Sequence, residues 1–166
     1  MFKPIIRVAA LSLCCLVLAG GAVRAEEYSP KQLLSFAMEL REQGQHDKAL
    51  DCAKKAAMQV VKQCGTESVA CGQYMAVLAD FFQSAGKIDA AENFYAGSIQ
   101  ILTRMGKQHP EAIPTLVVVL LQYGLLLKSE GKKEEAGKCL QIALAGANEH
   151  GMQNIASQAQ AALQSL

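Results

Sequence analysis

Apolar and polar positions follow a helical period through most of this chain. Between Pro110 and Gly146, Leu120, Tyr123, Gly124 and Leu127 fall three or four residues apart, on one face of a helix. Gly131 interrupts the pattern, and Ala136, Leu140 and Ala143 resume it. The stretch predicts a helix, a short turn and a second helix. The same pattern occurs twice earlier. Aligned on the turn glycine, the copies read MELREQGQHDKALDCAKKAA, LADFFQSAGKIDAAENFYAGSI and LLLKSEGKKEEAGKCLQIAL. The glycines are Gly44, Gly86 and Gly131, so successive copies are offset by 42 and 45 residues. Self-similarity at such a period predicts a stacked architecture.

The register holds on both sides of each glycine. Ala49, Ala91 and Ala136 stand five residues after it, and Ala37, Ala79 and Gly124 seven before it. A bulky residue precedes each of the latter: Phe36, Leu78 or Tyr123. Two helices joined by a tight turn approach closely only where small side chains meet large ones. Glycine at the turn supplies the left-handed backbone of a helix C-cap. One hairpin alone cannot bury its apolar faces, and stacking three does so. The predicted helices are 29–43 and 46–63, then 66–85 and 87–105, then about 110–130 and 132–149, and a last one from about 154 to 164. Ser29 and Thr66 are the expected N-caps, with Pro30 as a first helical residue. The last helix, with Gln153, Asn154, Gln158 and Gln160 on its polar side, reads as a solvating cap.

This pattern resembles the tetratricopeptide repeat, and most closely its longer-period variant in kinesin light chains. The period fits, and so does the MGKQHP loop at 105–110. The resemblance spans roughly 30–146. It departs in the first copy, where Ala53 replaces the expected large residue and the closing proline is missing. It implies an all-α, right-handed solenoid of three helix-turn-helix repeats (about 30–64, 66–106 and 110–149) with a capping helix at about 152–165. It also implies that the first helix of each repeat lines a concave ligand groove. The side chains expected there are Lys31, Leu34, Met38 and Arg41, then Gln73, Ala76, Asp80 and Gln83, then Val118, Leu121, Leu125 and Lys128. Some members of the family grip a terminal carboxylate with a basic and amide cluster in this groove. Here Leu34, Met38, Val77 and Val118 stand in those places, so such a clamp is not expected.

Two readings compete for the third first-helix. TLVVVLL, at 115–121, is apolar nearly all round, and a full face of it in water is costly. It is either the central buried helix or an apolar groove for a partner helix, a peptide or a second copy of the chain.

The first 25 residues stand apart. Lys3 and Arg7 precede an apolar run from Leu11 to Ala19, and Val23-Arg24-Ala25 offers a cleavage site. This is the pattern of a secretory signal, which predicts a processed domain of 26–166, a periplasmic or secreted location, and no stable membrane span after cleavage. Of 16 basic residues, Lys3, Arg7 and Arg24 would leave with it; thirteen remain against 15 acidic ones, about −2. With no basic stripe and no Trp, nucleic-acid binding has no support.

Export makes disulfides admissible for Cys52, Cys64, Cys71 and Cys139. Cys64 and Cys71 flank the short loop between the first two repeats. A bond between them is geometrically admissible, and a gap of this length across a helical turn equally allows the side chains to diverge. Cys52 and Cys139 read as small apolar residues. His46, His109 and His150 lack metal-ligand spacing to the thiols, and no serine elbow or phosphate loop occurs. The expectation is a non-catalytic, cofactor-free adaptor or scaffold that binds a protein or peptide in its groove. The alternatives are a self-associating subunit using the helix at 112–127 and a carrier of an apolar small molecule.

Overall fold

The computed structural model describes residues 28–166. The expected signal segment lies outside the described residues. Within them the chain is all-α, with no strand. Its helices are α1 (Pro30–Glu42), α2 (His46–Cys64), α3 (Val69–Ser84), α4 (Ile88–Gly106), α5 (Ile113–Ser129), α6 (Lys133–Glu149) and α7 (Gln153–Gln164). A single 3-10 turn, Pro110–Ala112, precedes α5.

Local chemistry accounts for the boundaries. Ser29 caps α1 with a full capping box: its side chain accepts from the Gln32 amide, and the Gln32 side chain accepts from the Ser29 amide at 2.9 Å. Pro30 follows in the first turn, as the sequence predicts. The second pair starts later than predicted. Gly65 ends α2 at φ 80°, and Ser68 rather than Thr66 is the N-cap of α3, its hydroxyl accepting from the Cys71 amide at 3.1 Å. The 3-10 turn takes up the segment from Pro110, so that Pro114 falls in the first turn of α5, where its missing N–H costs nothing. Gly44, Gly86 and Gly131 adopt φ of 74°, 70° and 76° at the three hairpin turns, the left-handed conformation expected of them.

Packing runs along the chain. The closest associations are within the pairs α1–α2, α3–α4 and α5–α6, followed by α2–α3, α4–α5 and α6–α7. The small-residue register explains the closeness: Ala49, Ala91 and Ala136 are each 0% exposed. Gly124 lies against Leu140, and a Cβ there would come within 2.8 Å of the leucine. Ser98 in α4, fully buried, donates its hydroxyl proton to the Gly72 carbonyl in α3 at 2.7 Å. The lysine after two of the turn glycines ties successive pairs: Lys87 reaches Asp47 at 2.8 Å, and Lys132 reaches Glu92 at 2.5 Å. The Lys87–Asp47 pair is solvent-exposed and contributes little energy, whereas Glu92 is half-buried beneath Lys132.

One apolar cluster runs from Ala37 in α1 to Leu126 in α5. A second joins Leu120 and Leu121 of α5 and Leu140 of α6 to Ala159 and Ala162 of α7. A third holds Val117, Ala147 and Ala156. The segment Pro110–Ser129 is long and apolar enough to cross a membrane. Here it is packed by α4, α6 and α7, and Val117, Val119, Leu120, Leu121, Leu126 and Leu127 are buried. Within TLVVVLL, Val117, Val119, Leu120 and Leu121 are buried and Thr115, Leu116 and Val118 are half-buried, so the helix is enclosed on one side and partly accessible on the other.

Candidate functional site

The first helices of the three pairs meet one another through their side chains. The Arg41 guanidinium of α1 lies over the Phe81 ring of α3, 4.9 Å from its centre. Gln73 of α3 donates to the Thr115 hydroxyl of α5 at 3.3 Å. Lys128 of α5 donates to the Ala162 carbonyl of α7 at 3.2 Å and also bonds the Ser165 hydroxyl. The residues expected to line a groove are thereby distributed over α1, α3 and α5, and the structure divides them into three groups.

The first group is open. Met38 is 45% exposed and Leu125 is 39% exposed, both unusual for large apolar side chains in this chain. Gln73, Gln83 and Lys31 are exposed, and Asp80, Arg41 and Val118 are half-buried. The second group is closed. Ala76 is 6% exposed and Leu121 is 3% exposed, so neither lines an open surface as the sequence suggested. Both stand ten residues before their turn glycine, and both are enclosed in apolar clusters. Leu121 is covered by Ala159 and Ala162 of α7. Leu34, at the same position in α1, packs half-buried against the core. The third group is diverted. Lys128 is spent on the end of α7 and is not offered to a ligand.

Asp80 has the most distinctive environment. The Tyr95 hydroxyl of α4 donates a hydrogen bond to its Oδ1. Tyr95 is itself buried, and its ring lies 5.7 Å from that of Tyr123. Burial pushes the Asp80 carboxyl above its ordinary range, while the Tyr95 bond and the Arg41 charge pull the other way. The phenol of Tyr95 is pushed far up by burial and by the Asp80 charge, so it stays protonated as the donor. Sequence reasoning placed Asp80 on this face but missed Tyr95 as its support. Tyr95 lies nine residues after its turn glycine, as Ala53 and Leu140 do after theirs, and nothing in a one-dimensional pattern shows that its hydroxyl reaches back to the preceding helix.

The four cysteines of the described residues are free thiols. Cys64, the last residue of α2, is exposed, whereas Cys71, in the first turn of α3, is buried. The two thiols are unbonded here, and they remain near enough for Cys64 to contribute, after burial, to the rise of the Cys71 thiol. Burial raises the Cys52, Cys71 and Cys139 thiols above their ordinary range, which disfavours the nucleophilic thiolate. Among the described residues no group of three His, Cys, Asp or Glu side chains is placed to hold a metal ion.

Comparison with protein-family models gives no match. Comparison with curated proteins likewise finds no significant relative.

Proposed function

We propose that this chain is an exported, non-catalytic interaction module of tetratricopeptide type: three helix pairs stacked as a right-handed solenoid, with α7 as the cap. Its ligand is a segment of a partner protein, received on the face formed by α1, α3 and α5. The observation that carries this reading is the row Met38, Asp80 and Leu125. These three residues stand at corresponding places, six before each turn glycine; Met38 and Leu125 are exposed and Asp80 is half-buried, while Ala76 and Leu121 on the same helices are enclosed. The signal-like segment at 1–25 supports a periplasmic or secreted site of action.

The test is capture from the native envelope fraction by the wild-type protein and by the double variant Met38→Glu/Leu125→Glu. The control is Ile142→Glu, since Ile142 is exposed on the second helix of its pair. Partners retained by wild type and control but lost by the double variant support the face. An identical set from all three proteins refutes it.

A second reading has its own observation. Met58 and Val61 are exposed on α2, in the first helix pair. Self-association through this edge predicts a concentration-dependent sedimentation coefficient that Met58→Glu abolishes. A strict monomer at all concentrations removes this reading.

A further inference from the structure

The open row on α1, α3 and α5 has an apolar side chain at each end and a carboxylate in the middle. Each outer residue offers contact area. Asp80 offers something more specific. Tyr95 is its one hydrogen-bond partner among the described residues, and it forms no ion pair. An ionised carboxylate has about four acceptor positions, and one bond leaves most of them unused. Arg41 lies close enough to act on Asp80 through space, but its guanidinium is held over the Phe81 ring and makes no ion pair with it. The carboxylate is half out of water and pinned by a buried phenol, and its remaining acceptor positions face solvent. A group in that state gains most from a donor that also carries positive charge.

We propose that Asp80 is the specificity-determining residue of this face, accepting from the ammonium or guanidinium of a basic side chain on the partner segment, while apolar side chains on either flank rest on Met38 and Leu125. This rests on the partner-binding reading given above and names the chemistry of the partner. Side-chain contacts join α1 to α3 and α3 to α5; if these helices lie at the usual packing distance of about 8–10 Å, the three residues are expected to stand about one such step apart. A chain in the polyproline II conformation rises about 3.1 Å per residue with three residues per turn, so every third side chain points the same way about 9 Å on. The occupant is therefore an extended segment of the pattern apolar-x-x-basic-x-x-apolar. Tyr95 is a positioning residue: it holds Asp80 and does not touch the partner.

The experiment uses three acetylated, amidated, fluorescently tagged peptides, Leu-Pro-Pro-Xaa-Pro-Pro-Leu, with lysine, norleucine or glutamate at Xaa. Binding to the purified protein is followed by anisotropy. The expected order is lysine tightest, norleucine at least about tenfold weaker and glutamate weakest, with the lysine advantage shrinking as salt rises. Asp80→Asn should equalise lysine and norleucine while keeping the norleucine affinity. Tyr95→Phe should reduce the lysine-to-norleucine ratio and leave norleucine binding in place, which a purely structural role for Tyr95 would not do. If either variant fails to fold, the wild-type ratio still decides. Equal affinity for lysine and norleucine overturns the role of Asp80 and leaves the face as a binding surface. Failure to bind any of the three overturns both.

Discussion

Leu121 and Leu125 sit one helical turn apart on α5 and differ sharply in exposure, at 3% and 39%. Leu121 lies under α7 and Leu125 faces out. Glutamate at 121 would place a carboxylate among Leu120, Leu140 and Ala159 with nothing to pair it. Such a change removes about 3 kcal/mol or more of stability. Glutamate at 125 should shift stability by no more than about 0.5 kcal/mol. Urea unfolding of the two variants checks this, and similar midpoints would show that α7 does not cover α5. Asp80 supplies a second prediction at this scale. Its carboxyl is raised above the unfolded value, so the folded state binds the proton more readily than the unfolded one. Ionised Asp80 therefore subtracts stability above its folded pKa, and the loss is relieved as pH falls through that value. Asp80→Asn should be more stable than wild type at pH ~7, with the gap closing as pH approaches ~4. A gap that stays constant with pH would mean that Asp80 is not titrating against burial.

The helix pairs separate two jobs that glycine does. Gly131 occupies the left-handed region at φ 76° with open space around it, whereas Gly124 has a Cβ position only 2.8 Å from the Leu140 side chain. Gly131→Ala therefore costs backbone strain alone, about 1–2 kcal/mol. Gly124→Ala costs packing: α5 and α6 must part or Leu140 must leave its rotamer, a loss of about 1–3 kcal/mol. The discriminating measurement is a second substitution. Leu140→Ala should partly rescue Gly124→Ala and should not rescue Gly131→Ala. These elements were legible in the sequence because both glycines fall in a repeated register, and the same register brought out Ala49, Ala91 and Ala136. The start of α3 was not, because Thr66 and Ser68 are equally good caps and only the left-handed Gly65 puts two further residues in the loop. The candidate face was legible at its open positions, which follow from helical spacing. It was misread at Ala76 and Leu121, since burial there depends on apolar side chains brought in by other helices, and spacing along one helix carries no record of its neighbours.

Across the whole molecule, contacts are almost all between helices adjacent in the chain, so stability should be distributed locally. The apolar clusters sharpen this. The first reaches from α1 only as far as α5, and α7 packs chiefly against α6 and, to a lesser extent, α5. Removing the residues after Gly151 would uncover Leu121 and its neighbours, each large side chain among them contributing about 1.5–3 kcal/mol by its burial. It would leave Leu50, Phe81 and Tyr95 as enclosed as before. Hydrogen exchange on the truncated protein should therefore show protection lost across α5 and α6 and retained in α2, α3 and α4. Lys128 gives an independent check, because its bonds to Ala162 and Ser165 vanish with α7 and free its ammonium. The truncated protein should then gain affinity for a peptide in which the leucine seated at Leu125 is replaced by glutamate, a gain the full chain does not show. Uniform loss of protection from α1 to α6 would instead mean that the helices fold as one cooperative unit, and that α7 stabilises the distant Asp80 face as strongly as the helices it touches.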